Sequence, residues 1–473
     1  MKEKKESAKT SKLKEKLMMD KPRVWDMISD EDKIAVKQYA EKYKSFLSSS
    51  RTERKCVDYF LQIASKKGFV DISRATKKSR KVFFNSRGKL FAMAVIGSEP
   101  LTDGVRIVTS HIDSPRLDLK PNPLYEDLGL ALLKTHYYGG IKKYQWVARS
   151  LAMIGTVVRQ DGSVIEIEIG VKPDDPVVTI PDLLPHLSRK QMEQKASEFI
   201  PAENLNVIIA GEPFGDKDTT DRVKLAVLDL LNKQYGITEE DLVSAEIEIV
   251  PAEPVRDAGL DRSMVAGYGQ DDRVCAYTSV TALLETQNPK YTAIAISYDK
   301  EEIGSEGNTS AKSFALESFL FDLMDVTGLE PSQRNLRKIF STGKALSGDV
   351  TAAVDPTYSD MYEKRNNSKL GHGIGITKYT GSGGKYMGSD ANAEYASWVR
   401  RLFNHNKVIW QTAGLGKVDE GGGGTVAKYL ANAGIDIIDC GPPILGMHSP
   451  FEVCAKDDIW MCFKAYKTFL GSD

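Results

Sequence analysis

Apolar positions along the chain fall into two textures. Ile34, Val36, Tyr39, Tyr43, Phe46 and Leu47 recur at helical spacing after the acidic opening Asp30-Glu31-Asp32, which predicts a first long helix. Cys56, Tyr59, Phe60 and Ile63 predict a second after Ser50, and Gly68 would end it. Short β-branched and aromatic runs follow at 81–85, 90–96 and 105–110, the last ending at His111. Between about 120 and 265 strands dominate: 152–158 and 163–169 flank Gln160-Asp161-Gly162 as a hairpin, and 207–210 and 244–250 are strand-like. Only 221–235, with Gly236 behind it, has helical spacing there.

From Gly267 onward helices (274–284, 310–321, 394–403, 425–433, 456–470) alternate with apolar strands (292–297, 408–412, 435–439). Such alternation implies an α/β domain with a mostly parallel sheet flanked by helices on both faces. The expected organisation is a Lys-rich extension (1–24), a first part of the α/β domain (25–119), an inserted β-rich domain (120–265) and the second part (266–473).

Composition narrows the function classes. The 473 residues are 41% hydrophobic with a formal charge of -1, so the chain as a whole presents no polyanion-binding field. Lys2–Lys16 lacks the interleaved aromatics of a nucleic-acid arm, and neither a nucleic-acid nor a membrane partner is expected. Five scattered cysteines without a C-x-x-C pair give neither a disulfide framework nor a thiolate zinc site, and favour a reducing cytoplasm.

Candidate chemistry gathers where apolar runs end, the place open α/β sheets put their sites. His111 with Asp113, Asp271 with Asp272, Glu301 with Glu302, Asp349 and His448 all stand there. The adjacent Glu301 and Glu302 are costly to bury unless a cation compensates them, and Lys300 alone cannot balance both together with Asp299. A divalent metal would, with one Glu as ligand and the other free to move protons. Each signal has a plainer reading: a solvated acidic loop at 301–302, helix capping by Asp271 and Asp272, a turn acid at Asp349, a structural imidazole at His448. Together they supply two imidazoles, a carboxylate able to bridge, two further carboxylates and a spare Glu, which suits a dinuclear site.

The segments His111-Ile112-Asp113-Ser114-Pro115, Gln270-Asp271-Asp272-Arg273, Asp299–Ser305, Ser347-Gly348-Asp349 and Gly446-Met447-His448-Ser449-Pro450 resemble, in order and spacing, the aspartyl aminopeptidase/aminopeptidase I family of dinuclear zinc metallopeptidases. The resemblance runs from about residue 25 to the end. It implies a zinc-exopeptidase-like fold, an inserted dimerisation domain and a tetrahedral dodecamer built from dimers. It implies two zinc ions, with cobalt or manganese possible: His111 and Asp349 on one, Glu302 and His448 on the other, Asp271 bridging. Glu301 would be the general base and Asp113 its neighbour. His186 would reach a neighbouring subunit's site, and Lys378 would meet the first side chain of the peptide substrate.

The glycine stretches 381–384 and 421–424, and Asp355 in place of a histidine, depart from strictly aspartyl-specific members, so acidic versus neutral preference stays open. Gly421–Gly424 lacks the Lys-Ser/Thr of a phosphate loop and is read as backbone shaping beside the substrate pocket. A di-zinc deacylase or carboxypeptidase, or a non-catalytic oligomeric scaffold, are the alternatives to an aminopeptidase.

Overall fold

A computed structural model gives the fold and describes residues 8–19 and 22–473. Residues 1–7, 20 and 21 of the Lys-rich extension lie outside the described residues. The helix Ala8–Leu17 is exposed from residue 10 onward.

The chain folds as mixed α/β around a nine-stranded sheet. Four neighbouring central strands, Thr292–Tyr298, Val105–His111, Lys344–Ser347 and Asp436–Gly441, run parallel. Antiparallel pairings appear toward both edges, at Leu90–Val95 with Lys81–Ser86 and at Ile374–Thr377. The sheet is thus less uniformly parallel than the helix–strand alternation implies. Lys344–Ser347 escapes sequence reading because four residues are too few to show a period.

Both faces are covered, so side chains of the central strands alternate between two cores. Ala293 and Ala295 join one core with Tyr43, Phe46, Phe60, Phe403 and Phe469 from the surrounding helices. Ile294, Ile296 and Tyr298 join the other with Phe319, Leu320, Leu323 and Ile339. Helix Asp30–Ser49 starts where the acidic run suggests, capped by Ser29, whose hydroxyl accepts from the Asp32 amide. Its predicted apolar face needs one correction: Ile34 is 59% exposed. The helix placed at 310–321 runs instead from Ala315 to Thr327, because Ser310 and Ser313 tie the preceding turn together through side-chain bonds.

A second, six-stranded sheet is antiparallel throughout and carries its own core around Leu117, Trp146, Ile154, Val207 and Ile249. It includes two long strands, Arg116–Asp127 and Leu130–Tyr138, whose polar interruptions hide them from pattern reading. A third sheet of five strands contains Met264–Gly267, Pro443–Leu445 and Glu452–Ala455.

Ile294→Ala should lower stability by about 2–5 kcal/mol in urea unfolding, and Ile34→Ala should stay within about 0.5 kcal/mol of the parent.

Candidate active site

The parallel register brings distant acids side by side. Tyr298 pairs with His111, so the segments leaving both strands run together. Asp113 then accepts the backbone amides of Glu301 and Glu302, each at 3.1 Å. The short helical turn Glu301–Ile303 is flanked by Lys300 and Gly304, both at positive φ, which turns the chain back over the strand end. Lys300 is committed to Asp299 at 2.5 Å, and Thr309 donates to the same carboxylate. Lys300 is thus taken up by Asp299, and among the described residues no lysine pairs with Glu301 or Glu302.

Asp349 follows the neighbouring strand through Gly348, whose amide donates to the Thr109 carbonyl at 2.7 Å. A Cβ at Gly348 would sit 2.6 Å from that carbonyl oxygen, so the close crossing requires glycine.

Asp271 and His448 come from loops of the third sheet, so the candidate residues converge from more than one sheet. Gly267 pairs with Glu452, placing the two loops together. The buried Glu452 carboxylate accepts the amides of Gln270 (2.6 Å), Asp271 (3.1 Å) and His448 (2.8 Å). Sequence reading missed Glu452; its only visible signal is an acid opening an apolar strand four residues after His448. The peptide between Asp271 and Asp272 is cis.

The side chains converge. His111 Nε2 lies 3.3 Å from Asp271 Oδ1, and His448 Nε2 lies 3.4 Å from Asp271 Oδ2 and 3.4 Å from Glu302 Oε2. Ligand-type atoms of His111, Asp271 and Glu302 fall within 4.8 Å of one another, as do those of Asp271, Asp272 and Asp349. Asp271 Oδ1, Asp272 Oδ1 and Glu302 Oε1 are buried without a hydrogen-bond partner. Buried acceptors left open in this way, ringed by imidazole nitrogens, fit a divalent cation.

The electrostatics agree. Burial raises Glu302, Asp349 and Asp272 well above the ordinary carboxylate range, and lifts Glu301 to about 7. Burial also raises Glu452 to about 8, with the Asp271 charge adding to it. Burial opposes charge on the imidazoles, yet Asp113 and Asp271 hold His111 well up, and Asp271 and Glu302 lift His448 to about 10. Against its own burial, Asp271 is held low by the His111 and His448 imidazoles that face it. Without metal, then, the imidazoles act as the missing cations.

The site opens into a cavity of about 1040 Å³ lined by His111, Asp271, Glu301, Glu302, Asp349 and His448. Its wall includes Gly381 and Gly421–Gly424, where Gly381-Ser382 pairs with Gly422-Gly423 as a two-stranded ribbon. A Cβ on Gly422 would meet the Gly381 carbonyl oxygen at 2.6 Å, so backbone itself forms this wall. Lys385 lines the cavity; Lys378 is exposed, does not line it, and shares Asp390 with Lys385 at 2.7 Å each. His186 is exposed on the turn Pro185–Leu187, apart from the lining residues.

The family model for aminopeptidase I zinc metalloproteases (M18) matches residues 46–470. This chain belongs to the M18 family. A probable M18 family aminopeptidase 1 of Clostridium acetobutylicum is 47% identical over 462 residues, covering 96% of this chain and 99% of that protein. The crystal structure of an M18 aminopeptidase from Thermotoga maritima superposes with a TM-score of 0.92 at 45% identity, covering 96% of this chain and 99% of that one. A dodecamer solved from S. cerevisiae shares the fold, with a TM-score of 0.73 at 19% identity, covering 91% of this chain and 96% of that one. The chain is therefore a zinc-dependent aminopeptidase, and the acids gathered here lie in an M18 fold.

Carboxylates raised in the folded chain bind more protons than in the unfolded one, so metal-free stability falls as pH rises through their range. Zinc needs them deprotonated. The melting-temperature gap between zinc-loaded and chelated M18 protein should therefore widen from about pH 5 to about pH 8, the span from ordinary carboxylates to the Glu301 and Glu452 values. Differential scanning fluorimetry across that range reads it directly.

Proposed function

We propose that this aminopeptidase works at a dinuclear centre in which His111 and Asp349 hold one zinc ion, Glu302 and His448 the other, and Asp271 both. The observation that carries this reading is the approach of the two imidazole Nε2 atoms to opposite oxygens of Asp271, at 3.3 and 3.4 Å. The same donor set would accept cobalt or manganese. When bound, the ions supply Lewis acidity and a water of lowered pKa.

The chain's own residues do the rest. Glu301, unpaired with lysine and facing the cavity, takes the proton from the attacking water and returns it to the leaving amine. Asp113 holds the Glu301 and Glu302 amides and so sets where both carboxylates point. The substrate's free ammonium group docks among the acids, which limits cleavage to one N-terminal residue per encounter. Lys385 lines the cavity and shares Asp390 with Lys378, which puts Lys378 one step behind the wall in recognising an acidic first residue. Arg365, Lys417 and Lys428 also line the cavity, against Glu363. Both acidic and neutral first residues are compatible with such a lining.

The segment 120–265 is read as the dimerisation domain of a tetrahedral dodecamer. The dodecamer solved from the S. cerevisiae relative supports it. So do Leu187 and Met192, each 68% exposed beside His186, an apolar surface suited to burial by a second subunit. His186 then donates a hydrogen bond to the developing oxyanion in the neighbour's site. Five buried free thiols support a reducing compartment such as the cytoplasm.

Glu301→Gln should keep its full zinc content by elemental analysis while kcat drops by about 10²–10⁴. Peptides with a free amine should be cleaved and their N-acetylated counterparts left intact, since a deacylase or carboxypeptidase would accept the blocked ones. His186→Ala should leave the particle mass unchanged in light scattering and lower kcat by about 10²–10³.

A further inference from the structure

The six-stranded sheet does more than pack beside the site. Its strand Leu130–Tyr138 runs out against the metal ligands and continues as Gly139-Gly140. The Tyr138 hydroxyl donates to Asp113 Oδ2 at 2.7 Å. That carboxylate also receives the Glu301 and Glu302 amides and lies 3.3 Å from His111 Nδ1. Two residues on, the Gly140 carbonyl stands 3.0 Å from His448 Nδ1. A carbonyl can only accept, so Nδ1 carries the proton, and when the ring gives up its second proton to bind metal it is Nε2 that offers the lone pair. Nε2 is the atom that faces Asp271 and Glu302.

Between these two contacts Gly139, at φ +72°, passes so closely that a Cβ would sit 3.4 Å from Glu302 Cβ and 3.3 Å from the Pro115 ring. The Tyr138 ring has an anchor of its own. The Arg116 guanidinium lies 4.0 Å from its centroid, and Arg116 is held in turn by Asp118 at 2.7 Å, Glu248 at 3.3 Å and Glu53 at 3.4 Å. Tyr138 does not line the cavity, so it positions other groups and does not touch substrate.

We propose that the strand end Tyr138-Gly139-Gly140 of the six-stranded sheet is a positioning element of the metal centre, its hydroxyl setting Asp113 and its Gly140 carbonyl fixing the tautomer and ring of His448. The inference rests on His448 being a zinc ligand, as read above. Groups that orient metal-bound imidazoles and their neighbours change metal affinity or activity by about 10–100-fold when removed. The catalytic centre is then assembled from the nine-, six- and five-stranded sheets.

The test uses full-length zinc-loaded protein and the variant Tyr138→Phe, which deletes one oxygen and leaves the ring on Arg116. Zinc affinity by competition with a fluorescent chelator should weaken about 10–100-fold, and kcat should fall by a similar factor with KM within about twofold. The melting temperature of the chelated variant should match that of the chelated parent. Unchanged zinc affinity and kcat would overturn the proposal, and so would a lowered metal-free melting temperature with intact affinity, which marks a packing role alone. Gly139→Ala, displacing the same strand end by a methyl group, should weaken zinc in the same assay. His448→Ala separates the two readings: if it loses one zinc per subunit while Tyr138→Phe behaves as the parent, only the positioning role fails. If His448→Ala keeps both ions, the ligand assignment itself is wrong.

Discussion

The structure turns on a surplus of buried negative charge where the central parallel strands meet the loops of the five-stranded sheet. Asp113, Asp271, Asp272, Asp299, Glu302 and Glu452 are nearly or fully out of water. Among the described residues, lysine answers only Asp299 within this group. Desolvation of that many carboxylates is untenable without cations. The fold answers with fixed donors for some, such as the amides on Asp113 and Glu452, and leaves three acceptor oxygens open toward a shared centre. Chemistry and stability therefore share one cause: the charge imbalance that makes this cluster costly to bury is what suits it to a divalent cation.

That imbalance was partly legible in the residues alone. Two adjacent glutamates after an apolar run, with one lysine nearby, call for a cation if they are buried, because charge can be added up without coordinates; their burial is what only the fold supplies. The helices with clear apolar periods, such as 30–49, 222–235 and 456–470, were legible for the same reason: their period is local.

What stayed hidden depends on pairing across the chain. Lys344–Ser347 is too short to declare itself, though it is central and delivers Asp349. The strands 116–127 and 130–138 carry charged and polar residues that break an alternating pattern, and they make sense only as partners of each other. Glu452 and Tyr138 look like ordinary strand residues until their partners, 181 and 25 positions away, are in place. Asp271 illustrates the limit most clearly: a helix-capping role and a metal-ligand role predict the same residue in the same loop, and the approach of two imidazoles, which favours the second, is invisible in the sequence.

The single carboxylate of Glu452 holds the amides of both the Gln270-Asp271 loop and His448. Those loops meet both imidazoles, since Asp271 faces His111 as well as His448. A shift in either loop is thus handed to the other through a buried, inextensible link. What disturbs the geometry around one imidazole therefore reaches the other through Glu452 and Asp271.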